Sequence, residues 1–199
     1  MASVHSDNNP LGQSSEYKDQ YDPTLLYPID RQESWKAMGQ DRNQAAFHGV
    51  DIWNAYEVSW LNGRGKPVVA MAEFRIPATS PFLIESKSFK LYLNSFNQTR
   101  FEQTEAVLEC MQRDLSKAAG EPVAVTLLDI EHSFEVPPQA RCIDELDIDD
   151  SQYQPDASLL QLAEGQFEGW LCSHLLKSNC PVTGQPDWGR VYIHYRGQC

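Results

Sequence analysis

Residues 50–60 read Val50-Asp51-Ile52-Trp53-Asn54-Ala55-Tyr56-Glu57-Val58-Ser59-Trp60. Val50, Ile52, Tyr56, Val58 and Trp60 recur at even positions, with Glu57 and Ser59 between the last three. A period of two predicts a strand with one buried face, and it groups those five side chains on that face. Asn62-Gly63-Arg64-Gly65 follows as a turn. Ala70, Ala72, Phe74 and Ile76 then alternate with Glu73 and Arg75. The two runs predict a long β-hairpin.

Working outward from the hairpin, Pro77 and Pro81 end its pattern. Residues 85–96 are mixed and aromatic, which suits a short helix. Residues 101–119 predict a stronger one, with Val107, Leu108, Met111 and Leu115 on one stripe at helical spacing. Gly120-Glu121-Pro122 stops that helix, with glycine available for a left-handed cap. Val123, Val125 and Leu127 alternate again as a third strand. The order β-β-α-α-β, with one further strand expected, gives an α+β unit over residues 46–143.

Residues 1–45 carry little periodicity and are broken at Asp22-Pro23 and Tyr27-Pro28. They read as a leader or covering arm. Residues 144–168 form an acidic linker that includes Asp144, Glu145, Asp147, Asp149, Asp150 and Asp156. Close carboxylates suggest calcium, but the ligand order and central glycine of an EF-hand are missing. A second unit is expected over residues 169–199. Residues 170–176 suit a strand, and Val191, Ile193 and Tyr195 alternate with Arg190, Tyr192, His194 and Arg196. This half begins like the first, with two strands, and then lacks the helices.

With 199 residues and 41% hydrophobic content, the chain is able to bury a real core. It has no apolar run near the ~20 residues of a membrane span and no apolar signal-peptide core near the N-terminus. A net charge of −12 repels phosphates, so direct binding to nucleic acid is not expected. The five cysteines, Cys110, Cys142, Cys172, Cys180 and Cys199, form no CxxC pair and no even framework. A reduced, cytoplasmic setting is expected, with one cysteine reactive.

Two segments carry candidate chemistry. The first runs from Ile84-Glu85-Ser86-Lys87-Ser88-Phe89-Lys90 to Tyr92 and on to Phe101. It sits where a strand gives way to a helix, and a helix N-terminus offers N–H groups and a positive dipole end to an anion. Lys87 and Lys90 add charge. The Glu85 carboxylate can accept paired hydrogen bonds from a guanine-like edge. The same residues also suit a plain capping segment with solvated lysines.

In the second segment Cys180-Pro181 ends an apolar strand and Asp187 follows across a short loop. A thiol of pKa ~8.5 needs a base to become a nucleophile, and a carboxyl group brought back to the sulfur can take and return its proton. A buried cysteine beside a turn-forming aspartate is the alternative. Cys172, His174 and Cys180 invite a zinc reading, but no clear fourth ligand is near, and no metal is expected. GxSxG, GxGxxG and P-loop patterns are absent, so a nicotinamide cofactor would not sit on a Rossmann fold.

The Glu85–Tyr92 run, Glu-Ser-Lys-Ser-x-Lys-x-Tyr, closely resembles the signature of the nitrile reductases that convert 7-cyano-7-deazaguanine to 7-aminomethyl-7-deazaguanine on the way to the tRNA nucleoside queuosine. Asn94-Ser95-Phe96-Asn97-Gln98-Thr99-Arg100-Phe101 and Phe47-His48-Gly49-Val50-Asp51-Ile52-Trp53 resemble the two-module form of that family. The likeness covers roughly residues 15–198. It implies a tunnelling fold, in which each module is an antiparallel sheet with two helices on one face.

It also implies a mechanism. Cys180 attacks the nitrile carbon to give a covalent thioimide, Asp187 protonates the nitrogen, and two NADPH molecules supply the hydrides in turn. Ile84, Glu85 and Ser86 match the substrate-contacting positions, and Ser86 and Lys87 the NADPH-contacting ones. The two-module family continues beyond the strand at 188–196 with a His-Glu pair and a basic stretch near NADPH. This sequence has neither, so a fragment or truncated product with an incomplete second module is expected.

Two other readings stay open. One is a catalytically incomplete purine-binding or assembly module of the same fold. The other, a purine- or pterin-ring hydrolase, requires zinc. Open sheet edges favour a homodimer or larger homo-oligomer.

Overall fold

The computed structural model describes residues 17–135, 137–149, 152, 156–180 and 184–198. Asp150, the loop residues Pro181, Val182 and Thr183, Cys199 and the arm before Tyr17 lie outside the described residues. The chain divides into two compact units, Met1–Ser133 and Phe134–Cys199.

In the first unit the predicted hairpin is β2 (Val50–Asn62) against β3 (Pro67–Pro77), preceded by β1 (Pro28–Asp30) and α1 (Arg31–Ala37). It is followed by β4 (Phe82–Ile84), α2 (Ser86–Asn94), β5 (Arg100–Phe101), α3 (Thr104–Ala119) and β6 (Ala124–Leu128). One sheet has the order β5-β2-β3-β6, and β1 pairs with β4 in a small second sheet. The helices α2 and α3 cover one face of the larger sheet: Phe89, Tyr92, Val107, Met111 and Leu115 pack with Val58, Trp60, Ala72, Phe74 and Ile76 in one buried cluster. Phe74 and Phe89 meet edge to face, 4.9 Å between centroids. Each large apolar side chain buried here contributes about 1.5–3 kcal/mol, so the helix face and the sheet face stabilise one another. The α+β architecture with two helices on one sheet face is therefore present.

One expectation about the hairpin is corrected. Ala55 pairs with Ala72 but Val58 pairs with Ala70, so Tyr56 and Glu57 together oppose Met71. This β-bulge reverses the inside-outside parity of the strand. Before it, Trp53 and Ala55 pack against the core, while Val50, Ile52 and Tyr56 are exposed. After it, Val58 and Trp60 are buried. The five residues grouped by simple alternation thus lie on two faces.

The described part of the arm is ordered against this unit. Tyr21 packs edge to face on Phe96, 5.2 Å between centroids. Asp30 caps α1 by accepting from the Gln32 amide at 2.8 Å, and Arg31 is paired with Asp51. Three-residue β1 is too short for a periodic signal.

In the second unit β8 (Gln166–Asn179) and β9 (Pro186–Gln198) form an antiparallel hairpin, and β7 (Arg141–Cys142) pairs parallel to β8. That pairing draws residues 141–142 into the second unit, earlier than the border expected after residue 143. The hairpin has its own bulge: Ser173 pairs with Val191 and Leu176 with Gly189, so His174 and Leu175 oppose Arg190. In both hairpins the doubled residues face the fifth residue of the returning strand, Met71 counted from Pro67 and Arg190 counted from Pro186. The second unit is a structural echo of the first at the level of register. Val58 and Phe74 are 1% and 0% exposed, whereas the matching Leu176 and Ile193 are 54% and 47% exposed. Among the described residues the second unit contains no α-helix to cover that face.

Candidate active site

Each unit presents one of the two candidate segments. In the first unit Glu85 is the N-cap of α2, with extended backbone (φ −65°, ψ 133°). Its carboxylate accepts from the amides of Lys87 at 2.9 Å and Ser88 at 2.6 Å. The Ser88 hydroxyl donates back to the Glu85 carbonyl at 2.7 Å and accepts from the Tyr27 amide at 3.0 Å. The Glu85 amide donates to the Tyr27 carbonyl at 2.9 Å. A carboxylate at a helix N-terminus is stabilised by the dipole as well as by these bonds. Glu85 is 4% exposed, so its charge is held by the helix end. The Ser86 hydroxyl donates a third, long bond to the same carboxylate at 3.4 Å.

Ile84 is buried at 1% exposure and pairs with Pro28 across the small sheet. Ser86 is exposed and Lys87 half-buried. Ser86 lines a cavity of about 290 Å³ between β2 and α2, with Trp53, Tyr56, Glu57, Phe89 and Lys90. Aromatic walls with a few polar groups are the usual make-up of a site for a flat heterocycle. The bulge residues Tyr56 and Glu57 belong to this cavity, and alternation alone gave no reason to select them.

In the second unit Cys180 follows the last paired residue of β8, Asn179, which faces Pro186. Its amide donates to the Gln185 carbonyl at 2.8 Å and its carbonyl accepts from Gly184 at 2.9 Å. These two bonds tie Cys180 to Gln185 and Gly184. It is half-buried and not disulfide-bonded. Asp187 is exposed and directly opposite Ser178. The strand β8 ends at Asn179, so Cys180 stands one residue beyond the paired register.

The trio Cys172, His174 and Cys180 is not brought together. Six residues of extended strand separate His174 from Cys180, roughly 20 Å. Instead Cys142 and Asp144 approach His174: Asp144 accepts from the Ser173 hydroxyl at 2.7 Å and the His174 amide at 3.0 Å, and lies 2.9 Å from His174 Nδ1. The Ser173 hydroxyl and then the His174 amide hold the Asp144 carboxyl well below the usual carboxylate range. Asp144 had been assigned to a linker, and nothing in its acidic surroundings marks it out from its neighbours.

Comparison with known proteins places the chain in a class. Residues 17–127 match the family described as nitrile reductase, 7-cyano-7-deazaguanine-reductase N-terminal. Three relatives named NADPH-dependent 7-cyano-7-deazaguanine reductase align over nearly all of the chain. The protein from Chromohalobacter salexigens is 54% identical over 190 residues, covering 94% of this chain and 69% of the relative. Those from Dechloromonas aromatica and Azoarcus sp. are 54% and 52% identical, covering 96% and 95% of this chain and 69% and 68% of the relatives. The chain belongs to the NADPH-dependent 7-cyano-7-deazaguanine reductase family, and so to the oxidoreductases.

Proposed function

We propose that this chain reduces the nitrile of 7-cyano-7-deazaguanine to the primary amine with NADPH, through a thioimide on Cys180. The reading is supported by the second hairpin, in which Asp187 faces Ser178 and the half-buried Cys180 directly follows the last paired residue, Asn179. Cys180 passes its proton to the Asp187 carboxylate as its sulfur bonds to the nitrile carbon. One π bond of the triple bond opens onto nitrogen, and Asp187 delivers the proton that nitrogen takes up. Covalent capture divides one hard reduction into easier steps. Later the same sulfur is the leaving group.

In the first unit, the carboxylate of Glu85 accepts from the amino and ring N–H groups of the deazaguanine, and Ser86 and the Ile84 backbone line that edge. The donor set Ser86 Oγ and Lys87 Nζ, at the positive end of α2, suits a phosphate of NADPH. When bound, that cofactor supplies hydride. The net charge of −12 argues against a direct nucleic-acid partner, and the substrate is a small molecule. Among the described residues no helix is long and apolar enough to cross a membrane; we place the protein in the cytoplasm, as a homo-oligomer joined through open strand edges.

The test is incubation with 7-cyano-7-deazaguanine followed by peptide mass analysis, with NADPH consumption followed separately. A mass increase of one substrate on the Cys180 peptide is expected, absent in Cys180→Ala. An adduct that survives the substitution removes the nucleophile. Adduct without NADPH consumption would favour a binding module over a reductase.

A further inference from the structure

We propose that Cys142, Asp144 and His174, backed by Cys172, form a binding site for a zinc-like divalent metal ion, separate from the chemistry assigned to Cys180. The strand β7 runs parallel to β8 with Cys142 directly across from Cys172, and the Ile143 amide donates to the Cys172 carbonyl at 3.0 Å. This pairing puts both thiols on one face of the sheet. The chain then turns so that Asp144 meets β8 again at Ser173 and His174. Cys142 Sγ lies 3.7 Å from His174 Nδ1, and Asp144 Oδ2 lies 2.9 Å from the same nitrogen. The three ligand atoms all lie within 4.8 Å of one another.

Those separations suit a metal. With Zn–S about 2.3 Å and Zn–N or Zn–O about 2.0–2.2 Å, atoms sharing a tetrahedral zinc stand about 3.3–3.8 Å apart. The sulfur–nitrogen distance already falls in that range. The carboxylate–imidazole contact has to open by a few tenths of an ångström, as a hydrogen bond gives way to a shared ion. Binding would release the thiol proton of Cys142 and any proton on His174 Nδ1. Asp144 stays aimed by the Ser173 hydroxyl and the His174 amide, the kind of outer support that metal ligands have. Cys172, buried at 7% exposure, pairs with Cys142 across the strands but lies outside the mutually close trio, so it becomes a fourth donor only by turning its side chain toward the ion. A disulfide between Cys142 and Cys172 is the competing use of the two thiols, but it would leave the convergence of Asp144 and His174 on Cys142 without a part.

The experiment is titration of the whole reduced chain, free of chelator, with cobalt(II), and separately with zinc followed by dialysis and metal analysis. Cobalt bound by thiolate gives a sulfur-to-metal charge-transfer band, and a tetrahedral site gives intense visible bands. One metal per chain with both signatures is expected. Cys142→Ser and His174→Ala should each weaken binding by more than the about 10–100-fold typical of losing a supporting group. Cys172→Ser should weaken the charge-transfer band. Cys180→Ala should bind as the parent does, which separates this site from the proposed nucleophile whether or not the reductase reading stands. Cys142→Ser is nearly isosteric and carries the test if His174→Ala fails to fold. No stoichiometric metal and no charge-transfer band would overturn the proposal, as would binding lost in Cys180→Ala but kept in Cys142→Ser.

Discussion

Asp187 lies directly across the second hairpin from Ser178, the residue two places before Cys180. The proposed proton-transfer role of this carboxyl group does not require it to be held in the core. Asp187→Asn should therefore slow adduct formation with 7-cyano-7-deazaguanine by about 10²–10⁴-fold, the usual worth of a general acid or base. Because Asp187 is exposed, the melting temperature should not move. An unchanged adduct rate would show that the proton comes from elsewhere.

Glu85 caps α2, and the proposed function gives it a second duty at the substrate; the two separate by substitution. Glu85→Ala leaves the Lys87 and Ser88 amides without their acceptor and should cost about 1–2 kcal/mol in denaturant unfolding. Glu85→Gln keeps an amide oxygen for the cap and should recover part of that loss. It loses the charge that a guanine-like edge is read by, so substrate binding should stay weak. Equal recovery of stability and binding in Glu85→Gln would reduce Glu85 to a cap.

Much of this was legible in advance, and the exceptions have physical causes. The hairpins, both sheet-covering helices and the cap at Gly120 followed from periodicity and a glycine. The bulge at Tyr56 and Glu57 did not, since an extra residue leaves an apparently continuous alternation while exchanging the two faces. The stretch around Glu85 was recognisable as a strand-to-helix junction, yet the carboxylate's bonds to its own helix depend on one backbone angle. Asp144 was hidden because its partners, Ser173 and His174, are about thirty residues away and a pairing of two residues brings them together.

Gly120 ends α3 with φ +78°, and a Cβ there would stand 2.5 Å from Pro81 Cγ. Gly39 has a similar φ of +71° with nothing within 4 Å. Gly39→Ala should therefore cost only the left-handed backbone penalty, about 1–2 kcal/mol. Gly120→Ala adds the collision with a rigid proline ring and should cost clearly more. Thermal unfolding of both variants checks the order; equal losses would mean that the loop at Pro81 yields.

Asp114, 7% exposed on α3, accepts from Tyr21 at 2.5 Å and Tyr92 at 2.9 Å, and pairs with Arg113 at 3.0 Å. Burial first, and then the bond to the Asp114 carboxylate, push the Tyr21 hydroxyl up to about 12. Burial and the same charge raise Tyr92 as well. Each hydroxyl keeps its proton in the folded chain at pH values where the unfolded chain has lost it. The stabilisation is thus complete below pH ~10, the ordinary tyrosine value, and is lost as pH rises toward the folded values. Denaturant midpoints should fall between pH 10 and about 12, and the fall should be shallower in Tyr21→Phe. At neutral pH Tyr92→Phe removes one bond to a buried charge and should cost about 1.5–3 kcal/mol. A midpoint flat across that alkaline range would show that Asp114 does not hold the two tyrosines in their protonated form, and that ring packing of Tyr21 on Tyr92 and Phe96 outweighs the bonds to Asp114.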